Sequence, residues 1–333
     1  MDVRQLGRTG IKATVLSYGC GAVGGLMTKG APADQERAVQ RALDMGITYF
    51  DTAAQYGMGT SETNLGRILA KLRPKITVAT KVRLQEAEYA NIGAGIRASL
   101  AASLARLGLP SVDILYLHNR IQAKTAGDGL SVEAVLGEVL PAFQALKAEG
   151  KIRHLGITAL GETAALHRVV QAGAFDVAQI CYNALNPSAE SAGGGLPAHY
   201  PGQDYAGLMT AAHKAGMGTV GIRVLAGGAL SGSEARHPLS MQAVEPIGSG
   251  ADFRADVLTA RRFEPLVADG TVKSLPELAM RFAIASPSLS TTLVGLSTLD
   301  ELETAYAACR TGPLPAKALA KLSEIRKTIA AAG

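Results

Sequence analysis

The chain reads as an α/β protein, a (β/α)8 TIM barrel with an N-terminal β-hairpin and long loops over its C-terminal face. Three observations carry that expectation. Eight short β-rich runs, at 15–19, 47–51, 76–81, 112–118, 154–158, 177–181, 218–223 and 291–295, alternate with amphipathic segments at 35–45, 94–107, 131–149, 162–172 and 205–215. The latter repeat apolar residues at i, i+3, i+4, the helical period, and strictly alternating strands and helices imply a parallel sheet. Several helical segments stop on glycine, at Gly46, Gly150 and Gly216, where a left-handed residue ends the helix and turns the chain into the next strand. Finally, three successive runs end on titratable residues, Asp51, Lys81 and His118, the way a barrel gathers reactive groups from the C-terminal ends of different strands.

The remaining elements follow in order. Residues 3–12 read as two short strands around a glycine-containing turn, placed to close the lower mouth of the barrel. Two connections are long: 183–204, rich in Gly, Pro and Ser, and 226–262, which carries Pro238, Pro246 and Gly248. Such loops in a compact domain are usually functional, and in a barrel they lie over the C-terminal face. Residues 316–332, just after Pro315, read as a final alanine-rich helix. No linker-like shift in composition divides the chain, so one domain over 1–333 is expected.

Composition narrows the class. Apolar residues make up 47% and charged residues 18% of 333, enough to bury a large core in a globular, soluble protein. The net charge of +5 is spread through interleaved acids and bases, which argues against a nucleic-acid or membrane partner. Three scattered cysteines, Cys20, Cys181 and Cys309, form no CxxC pair and suit a reducing cytoplasm rather than a disulfide framework. There is no export signal or membrane-length apolar run. The six histidines, His118, His154, His167, His199, His213 and His237, show no HxH or HExxH spacing, so a metal-dependent barrel hydrolase lacks support and no metal is expected.

Residues 19–24, Gly-Cys-Gly-Ala-Val-Gly, formally match the GxGxxG dinucleotide fingerprint. That motif needs a helix starting within it, whose N-terminus faces the pyrophosphate. Here Lys29-Gly30-Ala31-Pro32 interrupts and the helical pattern starts near Asp34. A glycine-permitted loop beside a ligand is the expected reading.

Asp51 is followed five residues later by Tyr56 in a turn, within Asp-Thr-Ala-Ala-Gln-Tyr-Gly. Lys81 follows in Ala-Thr-Lys and His118 in Leu-Tyr-Leu-His. Singly, each has an ordinary structural explanation; together at consecutive strand ends they resemble the catalytic tetrad of the aldo-keto reductases. The similarity runs from Arg4-Gln5-Leu6-Gly7-Arg8-Thr9-Gly10 to Gly295-Leu296-Ser297. It implies a barrel that binds NADP(H) or NAD(H) without a Rossmann fold and reduces aldehydes or ketones. A neutral phenol can protonate a carbonyl oxygen as hydride arrives, but its unperturbed pKa of ~10 calls for a neighbouring cation. Lys81 would be that cation, Asp51 its counter-charge, and His118 would orient the carbonyl.

By the same resemblance, Gly21, Ala22 and Val23 lie near the nicotinamide, with Asp51 below. Gln179, together with Thr158, holds the carboxamide. Leu225 to Gly227 looks like the loop over the pyrophosphate, and Gly295 and Ser297 like the adenosine-phosphate site. Three positions depart from the family pattern. Gly156-Ile157-Thr158-Ala159 replaces Gly-x-Ser-Asn, keeping a hydroxyl but losing an amide. The aromatic that stacks on nicotinamide is replaced by Ile222 or Arg223. Glu301 stands where members preferring NADPH place Arg, Gln or Asn, and a carboxylate disfavours a 2′-phosphate while accepting from ribose hydroxyls, so NADH is an open choice. The partner implied is a small carbonyl or alcohol. An NAD-dependent sugar dehydrogenase, working in the oxidative direction, is the nearest alternative; the polar 183–204 loop, with Tyr200 in it and Tyr205 just after it, suits a polyhydroxylated ligand. A cofactor-binding regulatory subunit of an ion channel is a further one, against which the presence of His118 counts.

Overall fold

A computed structural model describes residues 1–193, 196 and 200–329. Among these residues twelve strands occur in order: β1 (Val3–Gln5), β2 (Lys12–Thr14), β3 (Leu16–Gly19), β4 (Tyr49–Asp51), β5 (Thr77–Val82), β6 (Val112–Leu117), β7 (Arg120–Gln122), β8 (Gly129–Ser131), β9 (Ile152–Thr158), β10 (Val177–Cys181), β11 (Gly218–Ile222) and β12 (Thr291–Gly295). Eight of them close a barrel in chain order, β3-β4-β5-β6-β9-β10-β11-β12, with β12 returning to β3, and every barrel pairing is parallel. All eight runs read from the sequence become barrel strands, shifted at their ends by at most two residues.

Side chains alternate across a strand, so parity decides what fills the barrel. Tyr49, Ala79, Ile114, Tyr116, Val177 and Val220 form the interior cluster, joined by Leu6 and Ala13. Leu6 comes from the hairpin: β1 and β2 pair antiparallel around the 3-10 turn Gly7–Thr9. Arg8 N donates to Gly216 O at 2.9 Å, and a Cβ on Gly7 would lie 2.1 Å from Gly218 N, so the hairpin seals the lower mouth at the foot of β11. Higher up, the Tyr49 and Tyr116 hydroxyls share a hydrogen bond of 2.7 Å. The Tyr116 ring fits only because position 156 is glycine, where a Cβ would come within 2.3 Å of it.

The helices cover the outside. Those at Pro32–Asp44, Thr60–Leu72, Ile92–Leu107, Thr163–Gln171, Leu208–Lys214, Leu275–Ala283 and Leu299–Thr311 follow their strands, and Ala316–Ile329 ends the described chain. The segment expected as one helix over 131–149 is instead α at Val132–Ala134, a π turn at Val135–Val139 and α again at Leu140–Ala148. Pro141 accounts for the wide turn, since it cannot donate to the helical ladder. Residues 226–262, expected as an irregular connection, contain a 3-10 turn at Ala226–Ser231 and a helix at Phe253–Arg261. The Asp252 side chain caps that helix by accepting from Ala255 N at 2.7 Å. Another unanticipated feature is the small β7–β8 pair, just past His118. Among the described residues no helix is long and apolar enough to cross a membrane.

The Gly156 contact gives a direct test of this packing. Gly156→Ala forces the Tyr116 ring off the barrel axis and should lower the unfolding free energy by roughly 1–3 kcal/mol, read as a shifted urea midpoint.

Candidate active site

Strand parity also selects what the barrel presents at its C-terminal end. Tyr49 is followed on the inner face by Asp51, Ala79 by Lys81, Tyr116 by His118, Gly156 by Thr158, Val177 by Gln179, and Val220 by Ile222. Six strands thus each contribute one residue to the same rim. Asp51 and Lys81 are each 1% exposed and form an ion pair. Lys81 Nζ also donates to Thr52 O at 2.9 Å and to the Tyr56 hydroxyl at 3.2 Å. The second Asp51 oxygen accepts from Gln179 Nε2 at 2.6 Å. Every strong polar valence of the pair is used, as a buried ion pair requires.

Tyr56 arrives from a turn rather than a strand. Positive φ at Gly57 (61°), Met58 (51°) and Gly59 (89°) reverses the chain, and the following helix docks firmly beneath it. Thr52 Oγ1 and Ser61 Oγ lie 2.8 Å apart, and Ser61 donates to Cys20 O at 2.8 Å. Glu62, fully buried, accepts from Thr80 and from Arg106 Nε. The Tyr56 and His118 rings meet edge to face with centroids 6.0 Å apart. A Cβ on Gly21 would stand 3.7 Å from the Tyr56 ring, so the first loop passes directly over the phenol.

Burial works against a charge on Lys81, but Asp51 and Tyr56 outweigh it and hold the ammonium above its ordinary range. Burial pushes the Asp51 carboxyl up, with Lys81 and Gln179 pulling it back. The Tyr56 phenol is likewise raised by burial, against the pull of Lys81; the edge it keeps in solvent tempers that rise. The lysine was expected to bring the phenol down, and here its effect is the smaller one. His118 is brought down to about 3, by burial first and then by Lys81 and Arg83. At neutral pH the site therefore holds one buried ion pair under a neutral phenol and a neutral imidazole.

The other predicted positions fall into three groups. Thr158 lies level with Gln179 across the β9–β10 pairing, and its hydroxyl is buried with no hydrogen-bond partner among the described residues. At the end of β11, Ile222 keeps the inner parity, whereas Arg223 leaves the strand at φ 55° and donates to Glu245 O at 3.2 Å. Ile222 is thus the residue on the inner rim at this position. Leu225 heads the 3-10 turn, in which Gly227 and Gly228 have φ of 69° and 108°. The third group gathers around β12: Ser297 Oγ donates to Gly24 O at 2.7 Å, and Glu301, exposed on the next helix, accepts from Ser297 N at 2.6 Å. Gly24 packs so tightly that a Cβ would sit 2.2 Å from Leu296 N. Between Gly25 and Pro32 the chain forms only the four-residue helix Leu26–Lys29. Ala22 and Val23 are partly buried, and Val23 O accepts from Met241 N at 3.2 Å, which ties the first loop to the 226–252 connection.

One residue expected to face a ligand lands elsewhere. Tyr205 is fully buried against Gly248 and faces no ligand space, because the two long connections pack on each other there. His199 lies outside the described residues. Conversely, Arg236 was not anticipated: it donates to Gly227 O at 2.8 Å and stacks over Phe253 at 4.8 Å. Nothing in the sequence marks this basic residue within a long connection. Gln55, which contacts His118, was likewise passed over although it lies inside the Tyr56 motif.

A barrel with this group of side chains at its C-terminal end defines an oxidoreductase of the carbonyl–alcohol class that uses a nicotinamide cofactor. Residues 15–327 match the model of the Aldo/keto reductase family, and the chain belongs to that family. It is 28% identical over 316 residues to L-galactose dehydrogenase of Arabidopsis thaliana, covering 92% of this chain and 88% of the relative. Identity to D-threo-aldose 1-dehydrogenase of a Pseudomonas species is 31% over 196 residues, 51% of this chain and 57% of that one. A holo aldo-keto reductase of Bacillus halodurans superposes with a TM-score of 0.72 at 23% identity, covering 98% and 96% of the two chains.

Two predictions follow from the electrostatics. Lys81→Met strands Asp51 in the barrel and should cost about 3–5 kcal/mol; combining it with Asp51→Asn should restore part of that loss, as read by urea denaturation of single and double variants. Because the His118 imidazole stays neutral down to about 3 while its ordinary value is 6.5, the unfolded chain binds more protons between those values. Stability should therefore fall as pH drops from about 6.5 towards 3, and His118→Gln should flatten that slope in denaturation midpoints measured against pH.

Proposed function

We propose that the chain interconverts an aldehyde or ketone with its alcohol, with Tyr56 as the proton donor in reduction and the acceptor in oxidation. The observation that carries this reading is the 3.2 Å contact of the Tyr56 hydroxyl with Lys81 Nζ, in a site where Lys81 is itself immobilised by Asp51. Tyr56 holds its proton at neutral pH, and the phenolate left after donation is met by the ammonium already in place. Asp51 keeps that ammonium charged. The neutral His118 imidazole, edge-on to Tyr56, fixes the ligand oxygen.

The residues fit a nicotinamide dinucleotide, which supplies or takes the hydride when bound. Thr158 offers a buried hydroxyl without a partner, and Gln179, whose amide nitrogen serves Asp51, has its carbonyl oxygen for a carboxamide. Gly21, Ala22, Val23 and Ile222 would lie beside the nicotinamide. Arg223, Leu225 and Gly227 would hold the pyrophosphate, aided by backbone N–H groups in the glycine turn. Gly295, Ser297 and Glu301 would hold the adenosine end. A carboxylate fixed there repels a 2′-phosphate, so NADH is proposed over NADPH.

A second reading, oxidation of an aldose, is favoured by the activities named for the plant and Pseudomonas relatives. It uses the same residues in reverse. The substrate in either case is a small molecule, and the three free, buried cysteines suit a cytoplasmic setting.

The test is the absorbance of reduced cofactor over a panel of aldehydes, ketones and aldoses, with NADPH and NADH, for wild type beside Tyr56→Phe. Turnover should fall by about 10²–10⁴-fold in the variant. Cofactor binding should persist, followed by the fluorescence of the cofactor itself because the chain has no Trp. Undiminished turnover in Tyr56→Phe would overturn the assignment, and a strong preference for NADPH would overturn the choice of NADH.

A further inference from the structure

Gln55 immediately precedes Tyr56, and its Oε1 lies 3.2 Å from His118 Nδ1. None of the roles above uses it. Both residues ride on the turn fixed by Thr52, Ser61 and the left-handed Gly57 and Gly59, so Gln55 and Tyr56 reach the site as one rigid piece.

A neutral imidazole has one proton for two nitrogens, and the partner of one nitrogen decides what the other presents. A carboxamide is unusual among partners because it offers an acceptor oxygen and a donor NH₂ from the same end. With the oxygen towards Nδ1, that nitrogen carries the proton and Nε2 is an acceptor, suited to the O–H of an alcohol. With the NH₂ towards Nδ1, Nε2 carries the proton and is a donor, suited to a carbonyl oxygen. We propose that Gln55 is a positioning residue that sets the tautomer of His118, its amide turning over so that one imidazole serves both the carbonyl and the alcohol.

This inference rests on the carbonyl–alcohol reading. The groups facing His118 favour it. Lys81 comes from β5 and Arg83 from just past it, the first paired with Asp51 and the second with Asp128, and from the turn comes the Tyr56 phenol, which stays neutral. Burial first, and then these two cations, oppose an imidazolium, so the exchange of tautomers, rather than a change of charge, is the freedom left to the ring. A glutamate at position 55 would remove that freedom, because a carboxylate only accepts.

The test compares wild type, Gln55→Glu and Gln55→Leu by ring ¹⁵N chemical shifts after histidine-selective labelling, with His118→Gln identifying the resonance, and by rates in both directions against pH. In Gln55→Glu the ¹⁵N pattern should show the proton held on Nδ1 at alkaline pH. Carbonyl reduction there should show a KM about tenfold higher, the effect of one lost hydrogen bond, and alcohol oxidation a kcat about tenfold lower at unchanged KM, so that kcat/KM falls equally in both directions as the fixed equilibrium requires. On acidification reduction should recover, because the new carboxylate raises the imidazole pKa and the imidazolium donates from both nitrogens. Gln55→Leu should show a different tautomer balance from both. An identical ¹⁵N pattern in all three proteins overturns the inference, and so does a loss that falls on kcat alone in both directions at every pH, the signature of a merely structural role. If instead Tyr56→Phe turns over normally, it is the carbonyl–alcohol reading that fails, and the ¹⁵N patterns still decide whether Gln55 governs the ring.

Discussion

The ion pair of Lys81 with Asp51 is the constraint on which the upper half of the barrel depends. An ammonium and a carboxylate in so dry a place are tolerable only when every remaining valence is met, since desolvation can exceed the attraction between them. Here Asp51 receives one donor on each oxygen, from Lys81 and Gln179. Lys81 spends its protons on Asp51, the Thr52 carbonyl and the Tyr56 hydroxyl. These partners come from β4, β5, β10 and the turn after β4, so the neighbouring strands β4 and β5 bring the charges together and the last valence, the bond from Gln179, is met only when the sheet has closed and β10 faces them across the interior. Closing the barrel completes the site.

What lies beneath the pair matters as much. The Tyr49 and Tyr116 hydroxyls satisfy each other, and both phenols are pushed far up by burial, so the floor holds polar atoms but offers no competing charge. Above, the two long connections clasp each other through backbone carbonyls. Asn186 Nδ2 donates to Gln203 O at 2.7 Å and also to Gly248 O, and Met241 N reaches Val23 O on the opposite side of the rim. A cover held by a few hydrogen bonds can differ in sequence without disturbing the ion pair below.

The strands and the residues at their ends, Asp51, Lys81 and His118, were legible because both signals are local, and Tyr56 because it follows Asp51 by five positions in a turn. Period-two and period-3.6 patterns survive in a single sequence, and a titratable residue at the end of an apolar run stands out at once. The bond from Gln179 to Asp51 was not legible: it joins residues 128 positions apart and depends on the parity of β10 within a closed ring. Parity also places Ile222, and not Arg223, on the inner face of the barrel, which the sequence left open. The helix at Phe253–Arg261 was hidden by the Pro- and Gly-rich stretch before it, although Asp252 followed by Phe-Arg-Ala is an ordinary N-cap. Tyr205 looked ligand-facing because it sits just after a polar loop, yet the packing of one connection on the other buries it. Arg236 had no local signal at all, since its role comes from the carbonyl of Gly227 meeting it in space.

The charge inventory of the site bears on the direction of reaction. One carboxylate and one ammonium cancel, and the phenol and imidazole are both neutral, so these four groups together carry no net charge with which to favour an oxyanion over an alcohol in the ground state. The ammonium acts on the ligand only through the Tyr56 oxygen, and its influence is strongest when that oxygen has lost its proton. On the proposed mechanism the same step is traversed whether the proton leaves Tyr56 for a carbonyl or returns from an alcohol. A site so arranged lowers the barrier equally in both senses, and the direction taken is left to the relative supply of the two ligands and of the two redox forms of the cofactor.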